Sequence, residues 1–485
     1  MVDKIFINVA PGETRIALMD NNHLSGLTIC RKGKETIAGN IYMGRVSTVL
    51  SGLQAAFVDC GLERAGFLSL ADLRPVGVHK RDRGGRDRIS DYVSEGDLIL
   101  VQVLRDPEDN KGAKLTTRIT LTGRDLVFIL GQTGVTLSRR IKNLSERERL
   151  TEIITKVVPE EVNGAFVVRY AAQEAEAGDL EIEVESMVKL SLDLEKKQAK
   201  ATKPECIYYE LEPPLAILRD HGGVDLEMVQ VDDSELYKRL HDFADEYMHD
   251  LVDLISVYDG KEPLFEKYGV EELILEALSP KVDLPSGGNI LISETSALTA
   301  IDVNTGGKTS GGREQTSFIT NSEASGAIAK QVQLRNLSGL LVIDFVPMRK
   351  KENLEKIIEK MNSLLSNDAM RPHIAGFTKL GLLEMTRRKR GSSLSEILGR
   401  QTGEFCKSIE TIALEIFREV IKVTKLRPTP TLNILAAPSV VEILNGEMND
   451  TLKEVQKNLG VKLKLTAEPN NKEEIFQISS SKKKK

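Results

Sequence analysis

Short runs of alternating apolar and polar positions and stretches of roughly 3.6-residue spacing divide this chain into strand-like and helix-like segments. Residues 1–38 carry three strand-like runs, KIFINVA, TRIALMD and GLTICRKG, separated by turns at Pro11-Gly12 and Asn21-Asn22. Three such strands are marginal without something to pack against. Residues 39–120 hold several short alternating runs with glycine turns, which predicts a small closed barrel. Residues 121–212 predict a strand in LTGRDLVFIL, a helix over ERERLTEIITKVV, a strand in GAFVVRY and a long charged helix ending near Lys200. Helices around ELYKRLHDFADEYMHDLVDLI and GVEELILEALS fill 213–280. Residues 281–400 predict a hairpin of NILISE and LTAIDV, a helix over roughly 316–337, a strand over 339–346 and a helix over 350–365. Residues 401–475 read as a small α/β piece, with one helix over EFCKSIETIALEIFREVIKV and strands TLNILAA and VKLKLTA. Residues 476–485, ending SSSKKKK, read as a disordered basic tail.

Two of these strands break the pattern. The runs at 298–303 and 339–346 each carry one acid, Asp302 and Asp344, among apolar and β-branched neighbours. A buried charge needs a partner or a metal, so such conflicts mark functional sites. Side chains alternate along a strand, so Asn304 shares a face with Asp302. A strand, a crossover helix and a second strand favour parallel neighbours, which brings both acids out at one end of the sheet. Two carboxylates and an amide oxygen suit Mg²⁺, which takes oxygen ligands and keeps several waters. The competing reading is that each Asp caps a loop or pairs with a nearby Arg. Gly307-Lys308-Thr309 imitates the end of a phosphate-binding loop, but the position that would need the earlier glycine is Asp302.

TAIDVNTG, NSEASGAIAKQVQLRNLSG, GLLVIDFVPM and LGLLEMTRRKR, in that order, resemble the catalytic segment of the RNase E/G family of bacterial endoribonucleases. The resemblance covers nearly the whole chain, most strongly 40–120 and 280–390. It implies an α/β multidomain fold. An RNase H-like domain made from 1–38 and 213–280 would carry two insertions, an OB-fold RNA-binding barrel at 39–120 and a 5′-phosphate sensor domain at 121–212. A DNase I-like catalytic domain at 281–400 and the small C-terminal domain at 401–475 would follow. By the same resemblance Asp302 and Asp344 hold the catalytic Mg²⁺ and Asn304 assists. Phe57, Phe67 and Lys111 match RNA-contacting positions; OB folds stack bases on aromatics in a basic groove. Read without the resemblance, both Phe residues are equally well core. Gly123, Val127, Arg139 and Arg169 match sensor-lining positions, and a guanidinium fork suits a terminal phosphate. Tyr170 stands where the family pattern has Thr, and its ring carries the hydroxyl much farther from the backbone. For Arg169 the bland alternative is a surface ion pair.

Composition narrows the rest. The length of 485 residues suggests about three domains. No apolar run is long enough to span a membrane, and MVDKIFINVA lacks a signal-peptide shape. Cys30, Cys60, Cys206 and Cys406 are widely spaced with no CxxC, which fits a reducing cytoplasm. Close relatives within the family carry a CPxC pair after 400 through which two subunits share a zinc. Here only Cys406 is present, and one thiol per chain cannot complete the usual four-ligand site. No zinc link is therefore expected, and a homodimer or larger homo-oligomer, if the chain forms one, would do without a shared zinc. The net charge of −6 leaves RNA binding to local basic tracks. The polar insertion HKRDRGGRDR at 79–88 and the run Arg387 to Arg390 are candidates, each with a solvated face as its plainer reading. The expected activity is Mg²⁺-dependent cleavage of single-stranded RNA, leaving 5′-phosphate and 3′-hydroxyl ends, in RNA processing and decay. A non-catalytic RNA-binding scaffold of the same fold and a metal-dependent enzyme acting on DNA are the alternatives.

Overall fold

The three N-terminal strands find their packing partner some 200 residues later. In the computed structural model Lys4–Ala10 pairs antiparallel with Glu13–Asp20 and parallel with Met228–Val231. The sheet runs Ile255–Val257, Met228–Val231, Lys4–Ala10, Glu13–Asp20, His23–Arg31. The structure describes residues 2–73, 88–108, 111–159, 162–173, 175–223, 225–307, 312–366, 368, 370–389, 391–400 and 405–480. These resolve into two compact units, one of residues 1–34, 225–241 and 253–485, the other of 35–224 and 242–252. No described helix is long and apolar enough to cross a membrane.

The first unit also holds a six-stranded sheet in the order Lys281–Asp283, Asn289–Glu294, Thr299–Asn304, Gly339–Asp344, Leu382–Arg387, His373–Phe377. Helices Arg313–Leu334 and Lys351–Leu365 cover one face of it. Ile301, Ile343, Leu383 and Met385 of the sheet pack there with Ile328, Val332, Ile357 and Met361 of the helices. The other face stays open, so Thr299–Asn304 and Leu382–Arg387 alternate between buried and more exposed residues, and Gly339–Asp344 does so from Leu340 on.

A third sheet in this unit has Thr431–Ala436 at its centre, parallel to Lys462–Ala467 and antiparallel to Gln477–Ser480. Two expectations fail here. Gln477–Ser480 is an edge strand rather than tail, because Ile478 packs on the core of Phe417, Ile434 and Val455. The long helix spans Ile409–Leu426, not the whole run from Glu404. Ser408 caps it by accepting from the Thr411 amide, and Cys406–Lys407 lies before the cap as a short strand. Helix Ile409–Leu426 is tied to the five-stranded sheet through Glu13, which is 1% exposed and accepts from both Arg31 and Arg418.

The second unit contains a closed five-stranded barrel. Ile41–Leu50 pairs with Ala55–Asp59, then Gly66–Ser69, Lys114–Thr116 and Leu98–Arg105 follow, and the last returns to Ile41–Leu50. Val46, Val58, Leu68, Val101, Val103 and Leu115 fill its interior. A four-stranded sheet, Gly134–Leu137, Gly164–Val168, Leu126–Leu130, Thr120–Thr122, packs against helices Leu144–Val157 and Ala177–Lys200. Phe128 and Phe166 meet edge to face at its centre, 5.1 Å between centroids.

Candidate active site

On the open face of the six-stranded sheet Asp302 and Asp344 are direct cross-strand partners in a parallel ladder. Strand spacing of about 4.8 Å therefore sets the two carboxylates side by side. Both are exposed. Among the described residues neither has a Lys or Arg partner. Asn304 lies on the same face and donates its side-chain amide to the Asp302 carboxylate at 2.8 Å. The cap-or-ion-pair alternative for the two acids thus finds no support among the described residues. No third His, Cys, Asp or Glu joins them closely enough to complete a protein-only metal cage among the described residues. Two carboxylates with room for water and substrate oxygen are the donor set Mg²⁺ accepts.

The glycines of PSGGN and VNTGG explain how Asn304 is held. A Cβ on Gly306 would lie 2.3 Å from the Gly287 carbonyl carbon, and one on Gly288 would lie 2.4 Å from the Asn304 carbonyl oxygen. The two turns touch backbone to backbone, which only glycine permits. Lys308 to Gly311 lie outside the described residues.

Two residues that the sequence did not single out fix the far strand. Asn321 is fully buried within helix Arg313–Leu334. Its amide donates to the Val346 carbonyl at 2.8 Å, and its oxygen accepts from the Val346 amide at 3.0 Å. The backbone two residues past Asp344 is thereby pinned. Glu314, at the start of the same helix, accepts from the backbone amides of Arg349 and Lys350 and from Asn353. Those donors hold its carboxyl below the usual range and cap helix Lys351–Leu365. A polar residue on a helix face of otherwise small and apolar residues was the available signal for Asn321.

Arg387 is a correction. It does not belong to an open basic track: it is buried against Asp368, 2.7 Å from Nε to the carboxylate. Arg388 beside it is exposed, Lys389 reaches Glu396 at 3.6 Å, and Arg390 lies outside the described residues. The arginine-rich insertion at 79–88 lies outside them too, except for its last residue.

In the second unit Phe57 and Phe67 are cross-strand partners with centroids 6.0 Å apart, edge to face. Both are half-buried on the outer side of the barrel, so neither belongs to its interior. Lys111 is exposed in the loop before strand Lys114–Thr116. A Cβ on the next residue, Gly112, would stand 1.9 Å from the Ala65 carbonyl oxygen, and the Phe67 amide donates to the Ala113 carbonyl at 2.7 Å. That close approach keeps the Lys111 loop against the strand bearing Phe67.

Arg169 leaves the end of strand Gly164–Val168, and its guanidinium donates to the Gly123 carbonyl and to Asp220 at 3.0 Å. Val127 faces Val167 across the ladder, in the next strand from Arg169. Arg139 is exposed, whereas Arg140 lies over the Tyr170 ring at 4.3 Å. Tyr170 therefore packs against the core of this sheet with an arginine on its ring. Behind Gly123, Glu183 accepts from the Asp125 amide, and burial pushes its carboxyl up to about 7.

The sequence profile of the Ribonuclease E/G family matches residues 120–390. Ribonuclease G of Haemophilus influenzae is 38% identical over 490 residues, covering 98% of this chain and 99% of that protein. Ribonuclease G of Escherichia coli is 37% identical over 494 residues, covering 99% of each. Ribonuclease E of a Nostoc species is 37% identical over 369 residues, covering 74% of this chain and 52% of that protein.

Proposed function

The chain belongs to the ribonuclease E/G family and is an endoribonuclease acting in RNA processing; from that premise we propose that it hydrolyses single-stranded RNA at Asp302 and Asp344 with Mg²⁺. The observation that carries this reading is the side-by-side placement, on an open sheet face, of two carboxylates without a Lys or Arg partner among the described residues. These two carboxylates would hold the ion, and Asn304 would orient Asp302 or the scissile phosphate. When bound, Mg²⁺ supplies charge neutralisation at the phosphate and a more acidic water. The sheet itself contributes rigidity: Asn321 and the paired glycine turns keep both strand ends from shifting when substrate arrives. The products would carry 5′-phosphate and 3′-hydroxyl ends, and the ribose 2′-hydroxyl would take no part.

The finer architecture follows the same reading. The five-stranded sheet of the first unit would be the RNase H-like domain, the barrel an OB fold, and the sheet bearing Arg169 the 5′-end sensor. The six-stranded sheet would be the DNase I-like catalytic domain. The barrel would hold unpaired bases on Phe57 and Phe67, with Lys111 on a phosphate. At the sensor, Arg169 is already engaged by Asp220 and Gly123, so a 5′-monophosphate must compete with both. Tyr170 offers a ring where a short hydroxyl would otherwise stand. The sensor would therefore discriminate weakly. The protein would work in the cytoplasm, alone or as a homo-oligomer without a shared zinc.

One short RNA, prepared with a 5′-monophosphate or a 5′-hydroxyl and incubated with Mg²⁺ or with EDTA, tests both parts. Magnesium-dependent cutting with less than about threefold preference for the monophosphate is the expected result. Asp302→Asn and Asp344→Asn should each lower the rate about 10³-fold or more, since several kcal/mol of charge stabilisation go with the ion, and leave binding intact. Equal cutting by these variants would refute the assignment. Binding without cutting by the native protein would favour the scaffold reading.

A further inference from the structure

Two β-bulges on the barrel have a common consequence. In strand Ile41–Leu50 the register slips between Val46 and Thr48, so Val46 faces Val58 and Thr48 faces Phe57. In strand Leu98–Arg105 it slips between Val103 and Arg105, so Val103 faces Leu115 and Arg105 faces Lys114. A bulge re-aims the residue that follows it. Val46, Val58, Val103 and Leu115 go to the interior on one side of each slip. On the other side the registers join into one outward row across all five strands: Thr48, Phe57, Phe67, Lys114, Arg105. Arg105 is half-buried and has no hydrogen-bond or ion-pair partner among the described residues. Lys114 is 40% exposed and touches Asp72 at 3.0 Å, a surface pair of the weak kind. Two acids near the row have one or more carboxylate oxygens engaged by backbone: Asp106 accepts from the amides of Ile37 and Ala38, and Asp59, exposed on the face of Phe57, accepts from that of Gly61.

We propose that Lys114 and Arg105 bind phosphates of the same single-stranded RNA whose bases stack on Phe57 and Phe67, so that the strand crosses the barrel along this row. The proposal rests on the reading of the barrel as an RNA-binding surface. The step from Phe57 to Arg105 covers three inter-strand spacings, about 14 Å. That lies within the several-nucleotide footprint of an OB fold. Aromatic rings and cations divide the work: rings take bases without regard to salt, cations take phosphates and release counterions.

The division sets the test. Binding of a 5′-hydroxyl RNA oligomer to the full chain is followed by fluorescence anisotropy in EDTA, from 50 to 400 mM KCl. Each phosphate contact on a single strand contributes about 0.7 to the slope of log K against log salt. Arg105→Gln with Lys114→Gln should lower that slope by about 1.4 and weaken binding about 25-fold at 0.1 M salt. Arg105→Lys should keep the slope. Phe57→Ala should weaken binding about 5- to 100-fold with the slope unchanged. Thermal melts coincident with the native protein show that the variants are folded. An unchanged slope in the double variant while Phe57→Ala still weakens binding overturns the row and leaves the barrel reading standing. If Phe57→Ala and the double variant both bind as the native protein does, the barrel reading falls with it.

Discussion

Replacing Arg387 by Met removes one charge from a buried pair and leaves the other. Arg387 and Asp368 are 5% and 4% exposed. Two guanidinium nitrogens reach the carboxylate, at 2.7 and 3.3 Å. The third donates to the Asn336 side chain at 3.0 Å and to the Leu337 carbonyl at 2.9 Å. Asn336 holds a left-handed backbone, φ 52°, in the turn that feeds helix Arg313–Leu334 into strand Gly339–Asp344. One guanidinium thus ties the entry of the Asp344 strand to the segment after helix Lys351–Leu365. Stranding Asp368 costs about 3–5 kcal/mol, and for a unit of this size that lowers the melting midpoint by about 10 °C. Arg388→Met, next door and exposed, should change stability by no more than about 0.5 kcal/mol. The double change Arg387→Met with Asp368→Leu should recover most of the loss, because an apolar pair of similar volume needs no counter-charge. The chain has no tryptophan, so urea unfolding followed by far-ultraviolet circular dichroism is the suitable assay. A loss below about 1 kcal/mol for Arg387→Met, or a double variant as unstable as the single, would refute the reasoning.

Two other substitutions probe buried polar groups. Glu183 carries its carboxyl at about 7 in the folded protein against 4.5 when unfolded. The folded state then binds the extra proton between those values, so stability falls as pH rises through that window and the loss is complete above about 7, on the order of 3 kcal/mol. Glu183→Gln should remove this slope, so its stability relative to the native protein should climb from pH 4.5 to 7 and then level off; a flat difference would show that the carboxyl is not perturbed. Asn321→Ala leaves the Val346 amide and carbonyl without their partner, which costs about 1–3 kcal/mol for each group that stays dry. Because Val346 follows Asp344 by two residues, cleavage should drop more than RNA affinity does, and equal losses in both would mean that the strand end is not what Asn321 positions.

What the chain reveals before folding, and what it conceals, follows from how far each feature depends on distant partners. The two acids were legible because alternation is local: an isolated Asp in a run such as TAIDV must face outward or find a counter-charge, and the intervening helix makes the strands parallel. Their exact register, Asp302 opposite Asp344, was the natural result of two acids near equivalent strand ends. Arg387 misled for the converse reason. A run of four basic residues reads as a solvated face, and only Asp368, brought across the sheet edge, makes burial of the first one tolerable. For Arg169 the ion-pair alternative was legible but the partner was not, since Asp220 lies 51 residues away. Gln477–Ser480 was hidden by its own shortness beside a lysine run, and it becomes a strand only because Thr431–Ala436 offers a free edge. The bulges at Ser47 and Leu104 leave no local mark at all. Neither is a glycine, and each exists because the flanking residues on both sides have a preferred face that an unbroken ladder could not serve. The outward row from Thr48 to Arg105 is therefore a property of the closed barrel and not of any one strand. Lys114 and Arg105, which join Phe57 and Phe67 only through this row, therefore escape a reading of the chain even where each strand is correctly placed.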